Sequence, residues 1–441
     1  MTQESQPLFL RLPLRPRFSS MATSFTESAA LALGLEPPEA LKLTLAAEEV
    51  FCYLAEAVQQ DGDEQQVALQ AVGRGYCVEL RFGLPAMEID LRLFNLAAPF
   101  SPDDESSLNQ LGLLLASRSV DRFFLDESSE GGMELKLIKE KAYPSPAALE
   151  TPSARPLTQY KVALAEPAQI KETARLIRAY YPPELFPETY MLPAKLADMA
   201  AGGEVRCLAA ADKALNLGGA FFLRQTSRST VLAYGPYIFG QPEAAAMAQA
   251  LVEAALNQVA KTQAVAFVCR YPTPELPPEY FEPLGDLAFI QPDGQRRPWP
   301  HYFRQLKEDP GAVVWSHPRL SDFLRGKYTD LALARDIHAT QDEGEGRPRH
   351  SLLGTHLERA QGHATLRPML DGRDVRENLA RHLEVLRGEG IANIFCNLDV
   401  GLAWHSNWMP PLMEEGFQPR LIVPFAGKGD LVLFQCLDGQ A

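Results

Sequence analysis

Apolar residues recur with regular spacing in three stretches of the chain, and each stretch predicts its own set of elements. In the first, Leu8–Leu14 reads as a strand and Ser20–Leu33 as a helix. Leu41, Leu45, Val50, Leu54 and Val58 fall near helical spacing and predict a second helix over Glu39–Gln59. Gln66–Phe82 and Met87–Leu96 read as strands, the latter from the alternation of Ile89, Leu91 and Leu93. A helix at Ser107–Val120 and a strand at Glu134–Lys139 close an α+β sandwich. The second stretch opens with a strand at Tyr160–Leu164, an amphipathic helix carrying Ile170, Ala174, Ile177 and Tyr181, and a helix at Pro193–Ala201. Strands at Glu204–Ala211, Leu217–Gln225 and Thr230–Ile238 follow, then an Ala-rich helix at Pro242–Ala260. A strand at Ala264–Arg270, a short helix at Glu279–Leu284 and a strand at Asp286–Ile290 end it. The third stretch repeats the latter half of that order. It has a strand at Gly362–Met369, a helix at Val375–Gly388, a strand at Ile391–Val400, a helix at Met409–Glu415 and a hairpin from Phe417 to Cys436. The shared order suggests a diverged internal duplication.

Two seams interrupt the pattern. Ala142–Leu157, where Pro, Ser and Ala replace periodic apolar residues, reads as a linker. Gln291–Pro300 (QPDGQRRPWP) reads as a second boundary, and Gln341–Arg349 as an exposed loop. The expected units are therefore 1–142, 159–294 and 295–441, with a linker at 143–158. That agrees with 441 residues at about 100–200 per domain.

Composition narrows the classes. The chain is 46% hydrophobic and 22% charged, which excludes a mostly disordered or fibrous protein. Apolar runs such as Leu111–Ala116 stop far short of the ~20 residues that a bilayer span needs. A net charge of −14 with no offsetting basic block argues against nucleic acid as partner. Six cysteines stand singly, without a CxxC pair, and read as buried thiols in a reducing compartment. With no signal pattern at the N-terminus, the expectation is a cytoplasmic, acidic, multidomain protein of α+β / α/β class.

Leu45–Val58 (LAAEEVFCYLAEAV) is similar to the helix of anti-sigma-factor kinases and other histidine-kinase-like ATPases, where a Glu is followed four residues later by an Asn. Leu111–Glu140 looks like the last helix and strand of that family, and the resemblance covers residues 7–140. It implies an ATPase-like α/β sandwich with a degenerate nucleotide site. Glu49 stands at the family Glu, whereas Tyr53 stands where an Asn would hold Mg²⁺. Asn95 replaces the Asp that meets adenine, and Ala97 replaces the Gly that follows it. Gly112 remains of the glycines flanking the phosphates, and Gln110 replaces another. Glycine lets backbone N–H groups approach phosphate closely, and magnesium needs oxygen ligands that Tyr supplies poorly. The resemblance thus implies little use of ATP, with Glu49 either a residual general base or a solvated helix carboxylate.

From Tyr160 onward the element order resembles the GNAT N-acetyltransferase fold twice over, as two mixed-sheet units. In that family a strand with exposed backbone amides meets a helix N-terminus, and together they hold the pyrophosphate of acetyl-CoA. The family motif is Arg or Gln, two residues, Gly, one residue, then Gly or Ala. Gln241 and Ala246 match it, and Ala244 departs from the Gly. In the second copy, Gly372 and Arg373 stand at the equivalent place, flanked by Asp371 and Asp374, which suit a helix cap equally well. Leu398-Asp399-Val400, Asn407 and Leu412–Phe417 look like the family's strand, asparagine, helix and closing Gly-Phe. The Tyr that often serves as general acid there is absent: its place is Leu412 in one copy and Phe281 in the other, with Tyr280 one position off.

All eight histidines and all four tryptophans lie after residue 298. Trp404-His405-Ser406-Asn407-Trp408 combines titratable, amide and indole groups in one strand-to-helix connection, and a histidine there suits general-base work. The histidine spacing matches no zinc pattern, so no metal site is expected. Two functions stand. One is an acetyl-CoA-dependent acyltransferase with a regulatory ATPase-like unit and a small amine as acceptor, using Gln241, Ala244, Ala246, Gly372 and Arg373 for the cofactor and His405, Asn407 and Tyr237 near the acceptor. The other is a non-catalytic regulatory or scaffold protein with a protein partner, of the bacterial partner-switching kind.

Overall fold

Residues 6–61, 65–84, 89–98, 111–127, 132–144, 152–291, 293–340 and 346–437 are described by a computed structural model. The chain is mixed α+β with several sheets and divides into two units. Unit 1 comprises 1–142, 346–356 and 367–385, and unit 2 comprises 143–345, 357–366 and 386–441.

Unit 1 is built on an antiparallel sheet of β1 (Leu8–Pro13), β2 (Gln66–Gly73), β3 (Cys77–Gly83), β4 (Arg122–Glu127) and β5 (Met133–Glu140), in the order 1-2-3-5-4. Gln66–Phe82, expected as one strand, is a hairpin that turns at Gly75, whose φ of +78° suits glycine. Helices α1 (Ser19–Ala32), α2 (Pro37–Asp61) and α3 (Leu111–Ser119) complete the described elements before residue 142. In α2 the buried stripe is Leu43, Ala46, Ala47, Val50, Phe51 and Leu54. Leu41 and Leu45, expected on the core face, are 56% and 45% exposed. Four buried alanines, Ala40, Ala46, Ala47 and Ala55, moved the true stripe off the leucine spacing. Residues 89–96 hold a 3₁₀ turn at Arg92–Phe94 where a strand was expected, with Leu91, Leu93 and Phe94 buried; Met87 lies outside the described residues. The same core takes in Leu352 and Met369, from the distant segments that belong to this unit.

Unit 2 contains a seven-stranded sheet whose order is 11-12-10-9-8-7-6. Its strands are β6 (Lys161–Leu164), β7 (Val205–Ala211), β8 (Leu217–Gln225), β9 (Thr230–Ile238), β10 (Ala266–Pro272), β11 (Glu282–Ile290) and β12 (Arg296–Gln305). Helices α4 (Pro167–Tyr180) and α5 (Pro193–Ala201) precede β7. Helix α6 (Ala244–Val259) follows β9 and buries Met247, Leu251, Val252 and Ala255 against Val231, Phe267 and Cys269. The β9–β10 pair is parallel. Gln291–Pro300, read as a seam, is the turn and opening of the β11–β12 hairpin: Gln291 N–H donates to Gln295 O, and Gly294 takes φ +82°. Asp, Gly and Pro serve a hairpin turn as readily as a domain boundary. The short helix expected at Glu279–Leu284 is a 3₁₀ turn at Pro278–Tyr280 followed directly by β11, since consecutive prolines remove backbone donors.

Beyond β12, β13 (Ala312–Ser316) and β14 (Arg335–Ala339) form a parallel pair around α7 (Ser321–Asp330). Then come β15 (Leu352–Glu358), β16 (His363–Leu370), α8 (Val375–Gly388), β17 (Asn393–Asp399), α9 (Met409–Glu414), β18 (Phe417–Val423) and β19 (Leu431–Cys436). Within unit 2, His363–Leu366 of β16 run parallel to β17, which pairs in turn with β19. No described helix is long and apolar enough to cross a membrane.

Candidate functional site

Strands β9 and β10 pair from Thr230↔Ala266 to Gly235↔Pro272 and then part. Beyond that point β9 continues beside β8 alone, so the backbone groups on its other edge have no ladder partner. A ligand held between splayed strands would need those groups. Here side chains take them. Ile238 N–H donates to the Tyr181 hydroxyl at 2.7 Å, which itself lies 3.1 Å from Ile238 O. The Thr273 hydroxyl donates to Pro236 O at 2.5 Å, and Gln241 Nε2 donates to Phe239 O at 2.7 Å. Burial drives the Tyr181 phenol pKa up, so it stays neutral and serves the strand as a fixed donor and acceptor.

The start of α6 is similarly occupied. Gln241 is buried, accepting from Leu157 N–H at 2.8 Å and donating to Arg155 O at 3.0 Å. Ala154 N–H donates to the Tyr180 hydroxyl at 3.1 Å. Residues 154–157 thus cross the strand-to-helix turn, and a methyl on Gly218 would come 2.9 Å from the Leu157 side chain. Ala246 is exposed on the outer face of α6 and Ala244 half-buried against the core. Tyr237, expected near an acceptor, is wholly buried; its hydroxyl donates to Leu185 O at 2.9 Å, and its ring meets Tyr181 edge-on at 5.2 Å. That is a packing role. Tyr280 is half-buried at the edge of the core, and its hydroxyl donates to Glu253 at 2.5 Å.

His405 lies in a 3₁₀ segment, Ala403–Trp408, and is 2% exposed. Its Nδ1 accepts Asp399 N–H at 2.8 Å, so this nitrogen closes a turn and is not offered to an acceptor amine. Asn407 is half-buried beside it. The Asp399 carboxylate accepts from Gly401, Gly429 and Lys428 N–H at 3.0, 3.0 and 2.6 Å, binding two loops together. Glycine is needed here, since a methyl on Gly427 would fall 2.2 Å from Asp399 Oδ2.

In unit 1, the Gly372–Arg373 turn is closed as well. A methyl on Gly372 would fall 2.3 Å from Ser351 N, while Arg373 donates from its backbone to Pro348 O and from Nε to Arg347 O. Asp374 accepts from Ser351 N–H at 2.6 Å and from its hydroxyl at 2.8 Å, so the turn clamps its own chain where a phosphate was expected.

Of the residues read as a nucleotide-site remnant, the structure brings Glu49 and Gly112 together: a methyl on Gly112 would fall 1.9 Å from Glu49 Oε2. Burial, then the neighbouring Glu48 and Glu56, raises the Glu49 carboxyl pKa. Tyr53 hydrogen-bonds through its hydroxyl to the backbone of Asp90, at 3.0 Å to O and 2.9 Å from N, and burial pushes its pKa up to about 12. Asn95 is 3% exposed. It donates to Ser351 O at 3.0 Å and accepts from Leu353 N–H at 2.9 Å and Asn378 at 3.2 Å. Its amide therefore reads a peptide of its own chain in the two-point manner in which a base would be read. Ala97 is half-buried in the turn that follows, and Gln110 lies outside the described residues.

Sequence reasoning missed two buried clusters in unit 2. Arg335 is fully covered, donating to Asp430 at 2.6 and 3.1 Å and to Asp309 at 2.7 and 3.0 Å, with its guanidinium 4.5 Å from the Phe425 ring centre. The other joins Tyr190, Tyr234, Arg270, Tyr271, Trp299, His301, Glu358 and His363. The concentration of His and Trp after residue 298 was its one sequence signal; the tyrosines and charges come from elements far apart in the chain.

No protein family matches the chain, and no curated protein does. Among solved structures, an aminoglycoside 6'-acetyltransferase type Ii matches at 16% identity over 34% of this chain and 99% of its own, with a TM-score of 0.28. A putative acetyltransferase from Acinetobacter baylyi matches at 11% over 33% of this chain and 93% of its own, with a TM-score of 0.28. An N-acetyltransferase from Staphylococcus aureus matches at 10% over 34% and 99%, with a TM-score of 0.27. Likeness of that size carries no argument about chemistry.

Proposed function

We propose that this protein is a non-catalytic regulatory or scaffold protein, built on an acetyltransferase-like framework in unit 2 and an ATPase-like one in unit 1. The observation that carries the reading is the occupied splay: Tyr181 holds both backbone groups of Ile238, and Thr273 holds the Pro236 carbonyl. An acyl-CoA pantetheine needs backbone groups of this kind free, and a buried hydrogen bond is not given up without cost. The Gln241 clamp on residues 155–157 supports it, since that turn is where the cofactor pyrophosphate would sit. In unit 1, the use of Asn95 to grip Ser351 and Leu353 supports a structural rather than nucleotide-binding role. Its partner would be another protein, with no nucleic acid involved at this net charge.

Thermal shift of the full-length protein with acetyl-CoA, and with ATP and Mg²⁺, tests this directly, because any ligand that binds only the folded state raises Tm. At 1 mM ligand neither should move Tm measurably. Saturable stabilisation by acetyl-CoA with a micromolar constant would restore the acyltransferase reading.

A further inference from the structure

We propose that residues 154–157 and the splayed end of β9 form a single latch in unit 2, a strap and its catch that open and close together. Opening bares at one stroke the first turn of α6 and the backbone groups of Ile238 and Phe239. Its use as a switch rests on the regulatory reading above, but its existence depends only on groups within unit 2.

The strap has little of its own to hold it. Residues 152–157 form no helix or strand. Among the described residues, 154–157 make three hydrogen bonds, and each ends on a side chain beneath them: Ala154 N–H on Tyr180, and Arg155 O and Leu157 N–H on Gln241. Leu157 adds an apolar anchor. It is half-buried over Gly218, where a methyl would fall 2.9 Å from the Leu157 side chain and 2.8 Å from that of Met247. A short segment fixed by so few bonds belongs to the low-stability end of a fold.

The side chains that hold the strap also hold the strand. Gln241 Nε2 donates to Phe239 O at 2.7 Å as well as to Arg155 O at 3.0 Å, while its Oε1 accepts Leu157 N–H at 2.8 Å. One amide therefore spans both parts. Departure of the strap uncovers Gln241, 8% exposed when latched, and lets water compete for the bond that fixes Phe239 O.

Tyr180 and Tyr181 make the second link. They are consecutive at the end of α4, where Tyr181 leaves helical geometry at φ −125°, ψ 144°. Tyr180 accepts Ala154 N–H and sets its ring edge-on to Phe239, 5.8 Å between centres. Tyr181 holds both backbone groups of Ile238. Gly240, at φ +58°, brings the chain close against the Tyr180 ring, 3.4 Å from where a methyl would stand. A shift of this tyrosine pair thus reaches the strap and the strand together.

Hydrogen exchange of ligand-free full-length protein, resolved to single amides, tests the latch apart from the response to acetyl-CoA. The amides to follow are Ala154, Leu157 and Ile238. The control is Ala266, whose N–H donates to Ser229 O at 2.9 Å beside the opposite end of β9. Gln241→Ala should cut protection at least tenfold at Ala154 and Ile238, although neither amide bonds to Gln241, and leave Ala266 unchanged. Tyr180→Phe, which deletes only the hydroxyl that Ala154 uses, should cut protection at least threefold at Leu157 and Ile238. Should Gln241→Ala fail to fold, Tyr180→Phe decides alone, since its ring packing is kept. Unchanged protection of Ile238 in either folded variant would show two independent closures and overturn the proposal. An equal loss at Ala266, the mark of general destabilisation, would overturn it too.

Discussion

His405 shows how a single residue changes meaning once its neighbours are known. In sequence it sits between Trp404 and Ser406 as an attractive general base. Folded, its Nδ1 takes the N–H of Asp399, and the ring is 2% exposed. Removing the ring should therefore act on stability first. His405→Ala leaves Asp399 N–H buried without that acceptor and opens a void beside Trp404, whose ring centre is 4.1 Å away. Urea unfolding should show a loss of about 2–4 kcal/mol, from an unsatisfied donor plus lost packing. A loss below about 0.5 kcal/mol, the scale of an ordinary surface substitution, would return His405 to the list of free functional groups. Tyr237 follows the same logic, its hydroxyl committed to Leu185 and its ring to its aromatic neighbours.

Between elements, the decisive feature is the strap at residues 154–157 across the start of α6. Its composition reads as linker, yet its backbone is fixed by Gln241 and Tyr180. Chymotrypsin needs an extended peptide whose N–H at the residue before the cut is free, and at the Leu157–Thr158 bond the Leu157 N–H is held by Gln241 Oε1. Native wild-type protein should resist cleavage there. Gln241→Ala should speed the cut several-fold in protein that is still folded at the digestion temperature, read by mass spectrometry of timed digests. Equal rates in the two proteins would mean that Gln241 does not hold the strap. The splay of β9 and β10 was foreseeable in outline, because the run of strands and the Ala-rich helix were legible from periodicity. Its plugging was not: Tyr181 lies at the end of α4 and Thr273 just past β10, and no spacing rule relates them.

In each unit burial depresses one histidine far below its ordinary value, His301 in unit 2 and His382 in unit 1, and these shape stability against pH. Burial, then the Arg270 charge, depresses His301 to about 3, and burial depresses His382 to about 4. Below the ordinary 6.5 the unfolded chain binds a proton at each position while the folded chain does not. Stability is thus complete above about pH 6.5 and falls as pH drops toward 4 and 3, with a slope approaching about 1.4 kcal/mol per unit per histidine. At pH 5 that is roughly 2 kcal/mol each. Urea midpoints at pH 7 and pH 5 should differ in wild type, and His382→Gln should lose about 2 kcal/mol less of unit 1's stability over that interval. Identical losses would show that His382 is protonated in the folded state.

The sequence alone determined the local elements whose cues are local. Leu217–Gln225, Thr230–Ile238 and Val375–Gly388 were legible to the residue, because β-branched and aromatic runs bounded by turn residues, or an amphipathic repeat, need no distant partner. Tertiary structure decided everything that depends on a residue meeting one far away. Only folding shows that Leu352 and Met369 complete the first core, that Asn95 is spent on Ser351 and Leu353, and that the Asp-Gly-Pro stretch at 291–300 turns a hairpin. The buried cluster around Arg270, Trp299 and His301 is of the same kind. Periodicity reports which face of an element is apolar, but a hydrogen bond or an ion pair exists only between groups that the whole fold brings within a few ångströms.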